Sequence, residues 1–318
     1  MQLELGRPNL EEFAGTLVDL ARTNPDLLVV TGDSRGSGKL WPFAKAYPDQ
    51  IVEVGIAEQN LVGISAGLAS TGKKVFAVSP ACFLTARSLE QIKNDVAYSD
   101  NPVKLIGISA GVSYGALGST HHSLHDYAVL RAINNIDIVA PADNFETREA
   151  IKAALDYPHP IFIRFGKKPM YNLHSSDTQF EIGKAITIKE GEDITFVATG
   201  EPTSRALQAA QILEKEGLSC RVISMHTLKP LDTPVLLDAA RNTRALITVE
   251  EHSVYGGLGE ASAALLMENG LHVPFKIVAI PDEYTVTGSQ FEIFEHYGIT
   301  PEGLATTARG LLQLEPVK

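Results

Sequence analysis

Cysteine is nearly missing from this 318-residue chain: Cys82 and Cys220 are the two present, and they lie far apart. That excludes a disulfide framework and a cysteine-built zinc cluster, and it fits a reducing cytoplasm. No apolar run approaches the roughly 20 residues that a bilayer requires, so no membrane span is expected. The opening "MQLELGRPNLEEF" lacks a basic stretch followed by an apolar one, so no secretory leader is expected either. Positive charge is also in deficit. With 27 Lys+Arg against 38 Asp+Glu the formal net charge is -11, which argues against a nucleic-acid partner, because neutralising phosphates needs a basic surface. A phosphorylated small molecule stays open, since one or two local cations suffice for it. Internal repeats, low-complexity tracts and charge blocks are absent as well.

What is present is a 44% hydrophobic content, enough at this length for about two domains. Short β-rich apolar runs alternate with longer amphipathic stretches. In the first half the runs are "LLVVTGD" (27–33), "IVEVG" (51–55), "KVFAVS" (74–79), "VKLIGIS" (103–109), "IDIVAP" (136–141) and "PIFIRF" (160–165). Several are apolar throughout, as expected for strands covered on both faces. Between them lie helical candidates such as "NLEEFAGTLVDLAR", where Asn9 is expected to cap the first turn and Glu12 to answer it. A second series follows: "DITFVATG" (193–200), "CRVISM" (220–225), "ALITVEE" (245–251) and "FKIVAI" (275–280). The fold class expected is α/β, with two domains that each carry a mostly parallel sheet flanked by helices. The boundaries expected are 1–170 and 185–318, joined by a polar, turn-rich linker at 171–184.

Open parallel sheets bind ligands beyond the carboxyl ends of their strands. The loops to inspect are therefore "GDSRGSGKLW", "GIAEQN", "SPACFLTARS", "SAGVSYGALGSTHHSLHD" and "PADNFE", all in the first half. His121, His122 and His125 in the longest loop invite a metal reading. No cysteine is near and no helical His pair frames a glutamate, so hydrogen bonding to a substrate or cofactor is the better reading. "GDSRGSGK" lacks Walker spacing, and "YGGLGEASAALL" lacks the dinucleotide fingerprint; the second is expected to pack a turn tightly against a helix. Glu58, in "VGIAEQNLVG", sits where a strand gives way to a helix. A first-turn glutamate favours a helix through its dipole, so position alone does not assign it a chemical role.

The ordered set "VGIAEQNLVGISAGLA", "FLTARSLEQIKNDVA", "GSTHHSLHDYAVLR", "APADNFE" and "IFIRFGK" resembles the pyrimidine-binding domain of transketolases and of deoxyxylulose-phosphate synthase. "HTLKPLD" (226–232) and "VEEHSVYGGLGEA" (250–261) resemble the carboxy-terminal domain of the same enzymes. The resemblance covers almost the whole chain, without the Gly-Asp-Gly element through which the family's other domain holds magnesium. It therefore implies the second subunit of a split transketolase, using thiamine diphosphate and Mg. A partner subunit would supply the diphosphate and metal site, and two of each chain would form a heterotetramer.

The same resemblance implies roles for single residues. Glu58 matches the glutamate that hydrogen-bonds the cofactor's aminopyrimidine nitrogen, and Phe83 an aromatic that packs on that ring. His121 matches the histidine that contacts substrate oxygens; Asp33 matches an acid near the cofactor and the subunit contact. Ser37, Arg164 and Arg7 match positions that hold the acceptor's phosphate, a task suited to arginine's planar fork. Three departures stand out. Ala86 replaces a second aromatic, Leu117 an aspartate that reads the donor's stereochemistry, and Ser109 a phosphate-binding histidine. They imply ketol transfer with altered sugar recognition: a ketose that is branched, deoxy or sulfonated. Two rival readings share the fold. One is the β subunit of a thiamine-dependent 2-oxo-acid dehydrogenase; the other is a non-catalytic interaction subunit, against which the retention of Glu58, Phe83 and His121 counts.

Overall fold

A computed structural model describes residues 3–175 and 177–313. The strands, in chain order, are β1 (Leu5–Pro8), β2 (Leu27–Thr31), β3 (Ile51–Glu53), β4 (Lys74–Pro80), β5 (Lys104–Ile108), β6 (Asp137–Val139) and β7 (Ile161–Phe165). They continue as β8 (Pro169–Tyr171), β9 (Ile186–Lys189), β10 (Ile194–Ala198), β11 (Cys220–Ser224), β12 (Thr227–Lys229), β13 (Ala245–Ser253) and β14 (Phe275–Ile280). Every apolar run singled out from the sequence is a strand.

The strands form a seven-stranded sheet in the order β12-β6-β7-β5-β4-β2-β3, a five-stranded sheet β14-β13-β10-β11-β9, and the pair β1-β8. Both larger sheets are parallel except at one edge each, where β12 runs antiparallel to β6 and β9 antiparallel to β11. Side-chain alternation explains the two-sided burial. Val30 and Ala77 face one apolar cluster with Leu61, Val62 and Ala66 of the helix Glu58–Ser70. Val29, Phe76 and Val78 face another with Leu10, Phe13 and Leu17 of the helix Asn9–Ala21. The first cluster continues through Ile138 and Leu228 to Ile223 and Met225, so a single apolar core reaches from one sheet into the other.

Three features differ from the sequence reading. The helix at 9–21 starts after Pro8 with no side-chain cap. Asn9 instead accepts from Asn144 Nδ2 (2.9 Å), and Glu12 pairs with Arg7 and Arg148. Tertiary partners outbid the local capping pattern. β8 lies just before the polar segment and is held by pairing with β1. β12, from "HTLKPLD", completes the first sheet rather than the second: Ala140 N–H donates to the His226 carbonyl (2.7 Å), and Thr227 lies opposite Val139.

Candidate active site

The candidate residues leave the sheet at the carboxyl ends of adjacent strands. Asp33 and Ser37 follow β2, Glu58 follows β3, Phe83 follows β4 and His121 follows β5. Glu58 opens its helix as the first residue after Ala57, where a carboxylate meets the positive end of the dipole. It is 6% exposed. Arg87 Nη1 donates to both of its carboxylate oxygens at 3.1 Å. The same guanidinium lies 4.4 Å above the centre of the half-buried Phe83 ring. Phe83 and Arg87 share the helix Ala81–Arg87 and are four residues apart, so both stand on one face.

His121 closes this group. Its ring meets Phe83 edge-on at 5.3 Å and Tyr114 at 5.4 Å. Thr120 Oγ1 lies 3.0 Å from His121 Nδ1. A hydroxyl donating there leaves the proton on Nε2, for which no protein partner is present among the described residues. The loop that carries His121 is fixed from the second half of the chain. His122 is buried; its Nε2–H donates to the Gly115 carbonyl (2.9 Å), and its Nδ1 accepts from Thr285 Oγ1 (2.6 Å). Burial keeps His122 below its ordinary pKa, which suits that neutral tautomer. His125 reaches Thr85 Oγ1 at 3.2 Å. Each of the three histidines thus has a hydrogen-bonding neighbour, and among the described residues no group of three or more His, Cys, Asp or Glu is placed to hold a metal ion.

The remaining candidates sit differently. Asp33 is exposed at the head of its loop with φ 50°, its N–H held by Glu53 Oε1 at 2.6 Å. Aspartate tolerates that left-handed conformation better than most residues. Ser37 donates to the Ser34 carbonyl at 3.3 Å. Arg7, half exposed, lines a groove of about 580 Å³ with Lys39 and Trp41. Arg164 lies deeper than these three. Its side chain is 5% exposed, and it donates to Asp126 Oδ1 (2.6 Å) and the Glu251 carbonyl (2.7 Å) while lying 4.1 Å over the Tyr127 ring. Strand β7 is buried along its whole length, and position 164 faces into the molecule rather than off the strand end. The cation that does leave the end of β7 is Lys167, whose Nζ stands 4.5 Å over Tyr114. Burial, then Lys39 and Lys168, hold Lys167 below the usual lysine range.

Sequence reasoning missed Arg87, Tyr114 and Lys167. Arg87 was recoverable from its four-residue spacing to Phe83; the other two are placed by loop geometry that no local pattern encodes. Of the three departures, Ala86 and Leu117 are exposed, and Ser109 is buried with φ 54° at the head of the loop.

A parallel sheet thus gathers a buried glutamate, an aromatic ring and an open imidazole at its strand ends. Residues 10–171 match the model of the transketolase pyrimidine-binding domain, and 183–304 that of the transketolase C-terminal domain. The chain belongs to the transketolase family. It is 50% identical over 299 residues to a subunit of the apulose-4-phosphate transketolase of Phocaeicola vulgatus, covering 94% of this chain and 95% of that one. It is 36% identical over 308 residues to the corresponding subunit from Actinobacillus succinogenes, covering 95% and 99%. A solved structure described as a split-gene transketolase in an inactive β4 tetramer is 37% identical. It superposes with a TM-score of 0.87 over 98% of this chain and 100% of that one.

Proposed function

We propose that this chain is the second subunit of a cytoplasmic split transketolase, transferring a two-carbon ketol unit from a ketose phosphate to an aldose phosphate. The observation that carries the reading is the convergence of Glu58, Phe83 and His121 at one group of strand ends. The relatives from Phocaeicola and Actinobacillus, each one subunit of a larger enzyme, support a two-chain assembly and point to apulose 4-phosphate as the substrate to test first. Domain limits of 1–170 and 185–318, with a linker at 171–184, go with this reading.

The residues present fit thiamine diphosphate. The half-buried Phe83 ring offers a flat apolar wall, and Glu58 has lone pairs left beyond its contacts with Arg87. When bound, that cofactor supplies the carbon nucleophile on which ketol transfer depends. Glu58 would hold a proton shared with a ring nitrogen. Arg87 would fix the carboxylate's orientation, acting as a positioning residue. His121, with Nε2–H directed away from Thr120, would donate to substrate oxygen as negative charge develops there. Asp33, on the adjacent strand end, would face cofactor and partner. Ser37 and Arg7, joined by Lys167, would meet the acceptor's phosphate; Arg164 is committed to Asp126 instead. The Mg site would belong to the partner subunit, and the assembly would be a heterotetramer.

The test is reconstitution with a candidate partner subunit, thiamine diphosphate and Mg, followed by two-carbon transfer from a panel of ketoses that includes apulose 4-phosphate. Transfer that requires both chains supports the reading. Decarboxylation of a 2-oxo acid with no ketol transfer would move the protein to the dehydrogenase class.

A further inference from the structure

Outside the strand-end cluster, the second half of the chain carries a cavity of about 670 Å³ between β8, the helix Thr203–Glu214 and the helix Gln290–His296. Its wall holds a cation that none of the described residues neutralises by direct contact. Arg205 is half-buried, its guanidinium carbon 4.6 Å from the centre of the Phe294 ring and 6.0 Å from that of Phe291. Among the described residues no acceptor makes a hydrogen bond or ion pair with its guanidinium. A partly desolvated arginine usually has its fork answered, because a charge removed from water without a partner is costly. Arg205 presents that fork to the cavity. Burial holds it below the ordinary arginine range, offset by Glu251, Glu201, Tyr171 and Glu302 nearby.

Lys168 lines the same cavity, adding a second positive charge. Glu201, on the cavity wall, is pushed up to about 8 by burial and then by Glu251, so its carboxyl is mostly neutral at pH 7. Its Oε2 is occupied, accepting from Gln290 Nε2 at 2.9 Å. Glu302 lines the wall too, and Glu251 acts on Arg205 from outside the lining, yet among the described residues neither makes a direct contact with the guanidinium. The cavity also has an exposed apolar wall: Phe291 is 59% exposed although it flanks the guanidinium. The volume falls within the range of small-molecule sites.

We propose that this cavity is a binding site for a small anionic metabolite, a phosphate or carboxylate carried on a flat ring. Arg205 and Lys168 take the anion and Phe291 takes the ring. An arginine fork pairs with either anion through two parallel N–H···O bonds, and the exposed phenyl face accepts a stacked ring. The floor is not isolated from the loop of His121. Gln290 Nε2 donates to Glu201 and also to Glu251 Oε1 (2.9 Å), which accepts the Val112 N–H (2.8 Å).

The test is calorimetric titration of the full chain at pH 7 with inorganic phosphate and, separately, adenosine 5′-monophosphate. The nucleotide should bind at least about tenfold tighter than phosphate, a difference of about 1.4 kcal/mol. Arg205→Gln should weaken both at least tenfold, and Phe291→Ala the nucleotide alone. Lys168→Ala, at an exposed position that leaves the core untouched, should weaken both several-fold and covers the case in which the Arg205 variant misfolds. Glu58→Ala should leave both titrations unchanged, which separates this site from the strand-end cluster. Titrations that are identical in wild type, Arg205→Gln and Lys168→Ala would overturn the proposal, as would no binding of either anion by about 10 mM. A nucleotide that binds no tighter than phosphate would overturn the part assigned to Phe291.

Discussion

Two clusters of ionisable side chains, about equally conspicuous in the sequence, behave in opposite ways. At the strand ends, Glu58, Arg87 and His121 lie around the half-buried Phe83, with the Arg87 side chain 49% exposed and His121 Nε2 open. At the junction of the two halves, Asp126, Arg164, Glu250 and Glu251 are all buried, and their main polar contacts are internal. Glu250 accepts N–H bonds from Leu258 and Gly259 at 2.7 Å, capping the helix Leu258–Glu268. Asp126 accepts from Ser123, Tyr127 and Arg164. Two glycines make the closeness possible. A Cβ at Gly111 would stand 2.2 Å from Glu251 Cδ, and one at Gly166 1.6 Å from Glu201 Oε1. Charge density alone therefore does not mark a reactive site; open valence does.

The contrast can be broken by substitution, and the largest effect is expected at Glu58. In the reconstituted complex, Glu58→Ala should lower ketol transfer at least about 100-fold, while circular dichroism and melting temperature stay near wild type. His121→Ala should cost roughly 100-fold or somewhat more in kcat, as for other removed oxyanion donors. The junction should show the reverse pattern. Asp126→Asn leaves the Arg164 charge buried and unpaired, and should destabilise the chain by about 3–5 kcal/mol in denaturant titration.

A smaller effect distinguishes the clusters by pH. Glu201 and Glu250 are raised, mainly by burial, to about 8 and about 7 from the ordinary 4.5. The folded state then holds protons that the unfolded state has released. Their contribution to stability is complete below the ordinary value and is lost as pH rises through about 7 to 8. Glu201→Gln should flatten the fall in melting temperature between about pH 5 and about pH 8. A profile unchanged by this variant would mean that Glu201 is already ionised in the fold.

Much of the fold was legible because both-face burial leaves an unambiguous trace. Runs such as "KVFAVS" and "ALITVEE" admit few polar residues, and each became a central strand. β1, β8, β9 and β12 were not legible, since each is short and held by a partner distant in sequence. Asn9 shows the same limit, its capping pattern being overridden by Asn144. In the site, Glu58, Phe83 and His121 came from ordered motifs and do converge. The partners of Arg164 could not be read from its motif, because a motif fixes a position on the chain, whereas the direction of a side chain depends on strand alternation and on Asp126 from another loop. The glycine stretch of "VEEHSVYGGLGEA" was expected to pack a turn against a helix, and the structure adds its partners: Glu250 holds the helix end, and His252 is buried against Tyr127.

The most direct measurement compares Glu58→Ala with Asp126→Asn in one reconstituted preparation, reading ketol transfer and melting temperature together. The account predicts that Glu58→Ala abolishes transfer and leaves melting unchanged. Asp126→Asn should lower the melting temperature sharply, while whatever remains folded still transfers the ketol unit. Full transfer by Glu58→Ala would contradict it, and would leave the strand-end cluster a structural feature of an interaction subunit.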